Sequence, residues 1–356
     1  MGRAKQSFRD SFHHHQKMRR QPTIATVAEH AGVAVSTVSR YLNGHYVSHS
    51  AKQRIARVID KLGYTRSSTA RNLSLGRTGC IGVVVDSTLD PWFVQLLAGI
   101  EEELSTRDTS LMLASLELRG HYDANLVLQW IREKRVDGLI LAKTQKRERS
   151  LLHAATDAKI PTVTVAPDEA VEHVRVVRCN NIAGGAAVAD HLIDLGHRRI
   201  AFLGGPEHSI DSKNRLRGLK NRLEHLGVPM DPSLIFSCNS WEAEAGMEFG
   251  RTLLAKPLLI TALVTANDAL ALGFMRIAQQ RNIRIPQTLS VVGFNNVPEG
   301  AIVWPGLTTV SQPMREMGRA ACRKLFETLS TAEHQGVMEY ATELIVREST
   351  GPAAQP

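Results

Sequence analysis

The sequence has little cysteine and no long apolar run. Its four cysteines (Cys80, Cys179, Cys238 and Cys322) are scattered along 356 residues without a Cys-x-x-Cys pair, which argues against a disulfide framework or a zinc knuckle. No stretch reaches the roughly 18 consecutive apolar residues of a membrane-spanning helix, and the first residues lack the apolar core of a secretory signal. We therefore expect a cytoplasmic protein that stays out of the membrane and needs no metal and no cofactor.

Acidic residues are scarce in the first fifth of the chain. Residues 1–78 contain 14 Lys and Arg side chains against three acidic ones, a net charge of +11, whereas the rest has 29 against 32, a net charge of −3. This charge alone would also fit a solvated basic tail. A basic module on a near-neutral body nevertheless indicates nucleic-acid contact at one end of the molecule.

Periodicity divides the chain into five segments. Residues 1–22 are polar and basic without apolar periodicity, which predicts a disordered tail. Three short helical patterns fill 23–64, a linker spans 65–78, and a body over 79–350 precedes a short tail at 351–356. In the body, strand and helix patterns alternate, which is typical of an α/β fold with parallel sheets. About 270 residues are long for one such sheet, so we expect two lobes.

Residues 24–43 have the spacing of a helix-turn-helix. Ala28 is small where a second helix must approach closely, Gly32 turns the chain, and Val38 packs the second helix back onto the first. The second helix would be about 12 Å long, which suits a DNA major groove about 12 Å wide. With a third amphipathic helix and the basic charge, this pattern predicts an all-α DNA-binding head.

Several motifs along the chain carry a resemblance to a known family. Residues 23–40 (TIATVAEHAGVAVSTVSR), followed by Leu42-Asn43-Gly44, closely match its DNA-binding signature. Further matching motifs lie at 190–200, 266–268, 290–294, 305–310 and 346–350. On these motifs, which cover about residues 23–350, the chain is identified as a member of the LacI/GalR (lactose-repressor) family of bacterial transcriptional regulators.

The resemblance implies DNA contacts for named residues of the head. Val35, Ser36 and Arg40 fall on base-contacting positions; arginine can donate two parallel hydrogen bonds to guanine, whereas valine offers only apolar contact. The phosphate-contacting positions are occupied by Thr23, Thr37, Ser39 and Asn43. Phosphate contacts would position the head without reading the sequence.

The linker resembles the hinge helix of the family, which folds on DNA. Residues 68–73 match it, and Leu73 falls on the position that wedges into the minor groove, where leucines from two protomers kink the duplex. Without the resemblance, Leu73 would be taken for a packing contact. Arg66-Ser67 stands where the family usually has Pro-Asn, so we expect a looser entry to the hinge.

For the body, the resemblance implies a periplasmic-binding-protein-like (type I) fold. Chain crossovers near residues 179, 309 and 339 would divide it into an N-lobe (79–179 and 309–338) and a C-lobe (180–308 and 339–350). A small effector would bind between the lobes at the carboxyl ends of the strands, and its binding would be linked to DNA affinity. The implied effector contacts are Phe93, Arg215, Trp241, Asn267 and Asn295. Core packing is the alternative for Phe93, and a plain surface position is the alternative for Arg215.

Three family carboxylates are missing around this cleft. Ala166-Pro167 replaces an Asp-Arg pair, Asn180 replaces an aspartate, and Asn295 replaces the aspartate that often accepts a sugar hydroxyl. Less negative charge near Arg215 would tolerate an anionic ligand. We therefore expect a sugar acid or a sugar phosphate rather than a neutral hexose.

Together these features predict a repressor of a carbohydrate-utilisation operon in the bacterial nucleoid. Palindromic operator DNA calls for two heads, and the C-terminal residues lack a leucine heptad, so we expect a homodimer. A constitutive DNA-binding regulator with a degenerate cleft and a receptor-type sugar-binding protein are the alternatives. An enzyme is disfavoured because the sequence contains neither Gly-x-x-x-x-Gly-Lys-Ser/Thr nor Gly-x-Ser-x-Gly, although Asp268 with His191 or His197 could be imagined as acid/base groups.

Overall fold

The computed structural model describes most of the chain in two units. The described residues are 22–65, 72, 76–86, 91–118, 121–144, 146–167, 174–257, 259–330 and 336–354. A small head ends at Arg77 and a larger body begins at Thr78. The predicted basic tail (except Pro22) and most of the hinge segment, including Leu73, lie outside the described residues.

Three short helices build the head. They are α1 (Ile24–Ala31), α2 (Val35–Leu42) and α3 (His49–Leu62). Thr23 caps α1, since its hydroxyl accepts a hydrogen bond from the Thr26 amide at 3.2 Å. Gly32 ends α1 with φ at 59°, a left-handed conformation that glycine adopts without strain. The buried core of the head contains Ala28, Val38 and Ile55, one from each helix. The predicted helix-turn-helix packing is therefore confirmed.

The body alternates strands and helices. Its strands are β1 (Cys80–Val85), β2 (Ser110–Ser115), β3 (Glu117–Leu118), β4 (His121–Tyr122), β5 (Gly138–Ala142), β6 (Thr162–Val165), β7 (Arg175–Cys179), β8 (Ile200–Gly204), β9 (Ile235–Ser237), β10 (Ala262–Thr265), β11 (Ser290–Asn295), β12 (Thr308–Ser311), β13 (Gly336–Tyr340) and β14 (Glu343–Ile345). Its α-helices are α4 (Pro91–Ser105), α5 (Asn125–Arg132), α6 (Arg149–Asp157), α7 (Asn181–Asp194), α8 (Ile210–His225), α9 (Ala243–Leu253), α10 (Asp268–Gln280), α11 (Pro298–Ile302) and α12 (Met314–Ser330).

Each lobe of the body is built on one six-stranded sheet. The first sheet has the order β13-β7-β6-β5-β1-β2, and all of its neighbours are parallel. The second has the order β14-β12-β11-β10-β8-β9 and is parallel except for the β12–β14 pair. Their strands are largely buried, as expected where helices cover a parallel sheet. The predicted α/β fold, an all-α head followed by a two-lobed body with parallel sheets, is confirmed.

The chain passes between the two sheets three times. The first passage follows β7, which ends at Cys179. The second comes after Ser311, which pairs with Asn295 in the second sheet, and the third comes after Tyr340, which pairs with Cys179 in the first sheet. The expected crossovers near 309 and 339 therefore lie at 312–313 and 341–342 instead, because both strands stay in register for a few residues longer.

Within the described part of the chain, no helix is both long and apolar enough to cross a bilayer.

Candidate functional site

The second helix of the head, α2, presents one face to solvent. Ser36 and Arg40 are exposed, whereas Val38 on the opposite face is fully buried, and Val35 in the first turn is 46% exposed. Ser36 and Arg40 are four residues apart and therefore share one side of the helix. The head thus offers a valine, a hydroxyl and a guanidinium from one short helix, which is a chemistry suited to base edges in a major groove.

The predicted phosphate-contacting positions of the head carry small polar residues. Thr23 and Asn43 are exposed, while Thr37 and Ser39 are half-buried. The Thr23 hydroxyl also caps α1, and the Asn43 amide donates to the Ser39 hydroxyl at 3.5 Å. These residues carry hydroxyl and amide groups of the kind that commonly contact phosphates.

In the body, polar residues gather where the parallel strands end. Lys143 follows β5 of the first sheet, Asn181 follows β7, and Gln312 follows β12 of the second sheet. The Gln312 amide donates to the Asn181 side-chain oxygen at 2.9 Å, so residues that follow strands of both sheets meet here. This is the cleft between the lobes, where open α/β sheets generally bind ligands.

Arg215 lies at the floor of the cleft and is only 2% exposed, so it is not a plain surface residue. Its Nε donates to the Asn181 oxygen at 3.0 Å, and its Nη1 donates to the carbonyl of Ala266. The guanidinium lies 4.0 Å from the centroid of the Phe294 ring. These contacts hold the guanidinium plane in one orientation.

The position of Arg215 depends on an unusually close crossing of α7 and α8. A Cβ added at Gly185 would lie 2.2 Å from the Arg215 carbonyl oxygen, and one at Gly218 would lie 2.0 Å from the Ile182 carbonyl oxygen. Only glycine fits at either position. The crossing brings Asn181 at the start of α7 against Arg215 on α8.

A buried ion pair crosses the cleft. The Lys143 ammonium donates to a carboxylate oxygen of Asp211 at 2.8 Å, and Asp211 also accepts from the Asn181 amide at 2.7 Å. The Arg215 guanidinium comes within 3.9 Å of the same carboxylate. Burial opposes ionisation of Asp211, but the charges of Lys143 and Arg215 outweigh this effect and lower its pKa. Asp211 is therefore a carboxylate at neutral pH.

Of the aromatic pair at the start of α4, Trp92 is the residue that forms a hydrogen bond with a cleft residue, Gln312. Its indole N–H donates to the Gln312 side-chain oxygen at 3.1 Å. Phe93 is 2% exposed and packs edge-on against Trp92 within the core of the first lobe. Core packing, the alternative for Phe93, is what its contacts show.

Trp241 and Asn267 form a connected unit on the second lobe. The Trp241 ring lies on the backbone of Gly205, where a Cβ would come within 2.6 Å of it. The Asn267 amide donates to the Trp241 carbonyl at 2.9 Å, and its side-chain oxygen accepts from the Leu270 amide at 2.9 Å. Asn267 thus caps α10 and holds Trp241 in place.

Asn295 ends β11 in an unusual conformation. Its φ of 118° lies in the region that favours glycine, which indicates local strain. Its side-chain oxygen is buried and has no hydrogen-bond partner among the described residues. An acceptor buried in this way is suited to a donor group of a ligand.

The acid/base groups imagined for an enzyme serve other purposes. Asp268 is fully buried and accepts from the Val297 amide at 2.8 Å and the Thr309 hydroxyl at 2.5 Å, while burial raises its pKa to about 6. His191 bonds to the Thr350 hydroxyl at 2.9 Å, and His197 bonds to the Gly351 carbonyl at 3.0 Å. Both histidines therefore fasten the C-terminal segment.

Comparisons with known proteins agree with this two-part architecture. Residues 23–67 match the profile of the bacterial regulatory proteins of the lacI family, and residues 189–350 match that of the periplasmic binding protein-like domain. The HTH-type transcriptional regulator DegA of Bacillus subtilis is 31% identical over 341 residues, 93% of this chain and 98% of that protein. The chain belongs to the LacI family.

Other LacI-family members support the same assignment. The ribose operon repressor of Escherichia coli is 31% identical over 311 residues, 86% of this chain and 93% of that protein. A crystal structure of the lac repressor dimer, bound to operator and the anti-inducer ONPF, has the same fold, with a TM-score of 0.81 at 24% identity over 92% of this chain and 99% of that one. The present LacI-family protein is thus a DNA-binding transcriptional repressor with a ligand-binding domain.

Several residues of the LacI-family cleft could not be named from the sequence. These are Lys143, Asn181, Asp211 and Gln312. One available signal was position, because Lys143, Asn181 and Gln312 lie within two residues of strand ends. Their pairing across the cleft required the three-dimensional structure.

Proposed function

We propose that this LacI-family repressor controls a carbohydrate-utilisation operon through a sugar acid or a sugar phosphate bound between its lobes. The observation that carries the proposal is the charge of the cleft. Lys143 and Arg215 share the carboxylate of Asp211, at 2.8 and 3.9 Å. Two cations that share one carboxylate favour a ligand that brings further negative charge.

The remaining cleft residues suit the carbohydrate part of such a ligand. Trp241 offers an apolar ring face of the kind that stacks on a sugar ring. Asn295 offers a buried oxygen that, within the described residues, accepts no hydrogen bond. Asn267 supports Trp241 through its carbonyl, so we assign Asn267 an indirect role.

On the DNA side, we propose that Val35, Ser36 and Arg40 read base edges of an operator. Their exposure on α2, with Ser36 and Arg40 on one side and Val35 in the first turn, supports this role. Phosphate contacts are proposed for Thr23, Thr37, Ser39 and Asn43, all on the head. Leu73 is proposed as the minor-groove wedge on the resemblance alone.

We propose that the repressor acts as a homodimer on a palindromic operator. Strand β2 is the edge of the first sheet, and Leu111 and Leu113 on it are 37% and 41% exposed. Val94 on the neighbouring α4 is also exposed. Exposed apolar side chains beside an open sheet edge favour contact with a second copy.

We further infer that the protein works in the bacterial cytoplasm and catalyses no reaction. Its relatives are named as transcriptional regulators and repressors. The candidate acid/base residues Asp268, His191 and His197 are each engaged in internal hydrogen bonds.

A constitutive repressor with a degenerate cleft is the second candidate. One observation favours it: Lys143, Asp211, Asn181 and Arg215 form hydrogen bonds with one another. Such a protein would bind its operator with the same affinity whatever metabolite is present.

Two measurements on the full-length protein separate these candidates. Selection of bound fragments from genomic DNA yields the operator, and melting temperatures with a panel of sugars, sugar acids and sugar phosphates identify a ligand, because a true ligand stabilises the folded state by mass action. We expect an anionic sugar to raise the melting temperature and to change operator affinity. Stabilisation by neutral sugars alone would reject the anionic effector, and no stabilisation by any compound would support the constitutive candidate.

A further inference from the structure

The ion pair between Lys143 and Asp211 connects the two lobes through two largely buried side chains. Lys143 follows β5 of the first sheet, and Asp211 is on α8 of the second lobe. Their side chains are 13% and 8% exposed, and the two charged atoms are 2.8 Å apart. At this degree of burial a charge without a partner is strongly disfavoured, so each group requires a partner of opposite charge at all times.

Lys143 is held in a conformation that directs it across the cleft. Its φ of 58° lies in the left-handed region, which residues with a Cβ rarely occupy. The ammonium is 5.1 Å from the ring centroid of Trp92 and 5.4 Å from that of Trp241. Both distances are within the roughly 6 Å range of a cation–π contact. The ammonium therefore lies between one indole from each lobe.

Asp211 and Lys143 are not equally dependent on each other. Asp211 keeps the Asn181 amide at 2.7 Å and the Arg215 guanidinium at 3.9 Å if Lys143 leaves. Both of these groups belong to the second lobe, as Asp211 does. The Lys143 ammonium contacts Asp211 from the other lobe, so it is the member of the pair that can change partner when the lobes move.

From this geometry we propose that Lys143 binds the anionic group of the effector. When no effector is bound, the Asp211 carboxylate is the partner of Lys143 instead. The inference rests on the proposed anionic effector and identifies the residue that selects it. Effector binding then exchanges one ion pair for another between the same two indole rings. A neutral sugar cannot offer Lys143 a new partner, so it cannot separate the pair.

The test measures ligand affinity in four variants of the full-length protein by titration calorimetry. The probes are inorganic phosphate, glucose 6-phosphate, gluconate and, as the neutral reference, glucose. Lys143→Gln removes the cation, Lys143→Arg keeps it, and Asp211→Asn removes the internal competitor. Lys213→Gln is the matched control, because Lys213 is exposed on α8 two residues from Asp211.

We expect the tightest anionic probe to bind about tenfold more weakly to Lys143→Gln and several-fold more tightly to Asp211→Asn, as the loss or gain of one charge-assisted bond implies. Lys143→Arg and Lys213→Gln should bind it nearly as the wild type does. Equal anion affinity in Lys143→Gln and Lys213→Gln would overturn the role of Lys143 but leave the anionic effector standing. If no anionic probe binds the wild type, Lys213→Gln or Asp211→Asn, both the role of Lys143 and the anionic effector are overturned.

Tryptophan emission of the ligand-free protein tests the resident pair without any ligand. Because the ammonium lies against Trp92 and Trp241, we expect Lys143→Gln and Asp211→Asn to change the emission spectrum relative to the wild type. Lys213→Gln should leave it unchanged. Identical spectra in all four proteins would contradict the resident ion pair, while operator affinity measured on the same samples reports separately on DNA binding.

Discussion

Individual residues of the head combine structural and recognition chemistry on one short helix. Val38 is buried against α1 and α3, while Arg40, two residues later, is exposed. The helical period of 3.6 residues places these two side chains on different faces. Packing and the proposed DNA contact are therefore expected to be separable by substitution.

Substitution of Arg40 tests base reading by this face. We expect Arg40→Ala to weaken binding to the selected operator by about 1–3 kcal/mol and to relax specificity at one base position, since a bidentate contact to guanine is lost. Arg57→Ala is the control, because Arg57 is an exposed arginine on α3 and carries the same charge. Fluorescence anisotropy with operator and scrambled duplexes measures both effects. Equal losses on the two duplexes would show that Arg40 contacts only phosphates.

Residue-level prediction from the sequence succeeded where the signal was local. Gly32 was predicted to turn the chain, and α1 ends there in a left-handed conformation. Lys143 and Asp211 carry no such signal, because they are 68 positions apart and meet only when the two lobes face each other. The resemblance supplied Arg215, but its bonds to Asn181 and Ala266 depend on tertiary packing.

At the scale of elements, the crossing of α7 and α8 determines the cleft floor. We expect Gly218→Ala to lower the free energy of unfolding by about 1–3 kcal/mol, because the added methyl group overlaps the Ile182 carbonyl and forces the helices apart. Effector affinity should fall as well, since Arg215 moves with α8. Lys220→Ala, at an exposed position of the same helix, is the control. Urea unfolding of both variants gives the comparison, and equal stability would show that α8 can shift without strain.

The buried His197 and the half-buried His191 make the attachment of the C-terminal segment dependent on pH. Burial lowers the pKa values of His191 and His197, so the unfolded chain binds protons more readily than the folded protein. The contribution of these two histidines to the free energy of unfolding is therefore fully present above the ordinary histidine pKa of about 6.5. It is lost as the pH falls below that value.

This pH dependence can be measured by melting the protein at pH 7.5 and pH 5.5. We expect the melting temperature to fall over this interval, and to fall less in His197→Asn than in the wild type. His153→Asn, which changes an exposed histidine on α6, should retain the wild-type slope. An unchanged slope in His197→Asn would mean that another group dominates the transition.

Elements differed in how well the sequence predicted them. Buried strands such as β1 and β8 appear as continuous apolar runs, which is why the alternation of strands and helices in the body could be predicted. Strands β9, β13 and β14 lie at sheet edges, and most of their residues are at least partly exposed, so they show no such run. Their place in the sheets is fixed by pairing with distant strands.

At the scale of the whole molecule, the proposed dimer depends on the open edge of the first sheet. We expect the double variant Leu111→Asp, Leu113→Asp to sediment as a monomer and to lose most of its operator affinity, because charges at an apolar contact oppose association. Leu126→Asp is the control, since Leu126 is a 49% exposed leucine on α5 rather than on the edge strand itself. Sedimentation velocity measures the change. A double variant that still sediments as a dimer would locate the interface elsewhere.

The path of the chain through the two lobes has a consequence for synthesis on the ribosome. The first lobe takes α12 and β13 from residues 314–340, and the second lobe takes β14 from 343–345. Neither lobe can bury its full core until nearly the entire body has been translated, although domains often fold in turn as they emerge. The head, which is built from residues 23–64, can fold long before that. A nascent chain would therefore possess its proposed DNA-reading surface before it possesses the cleft proposed to bind an effector.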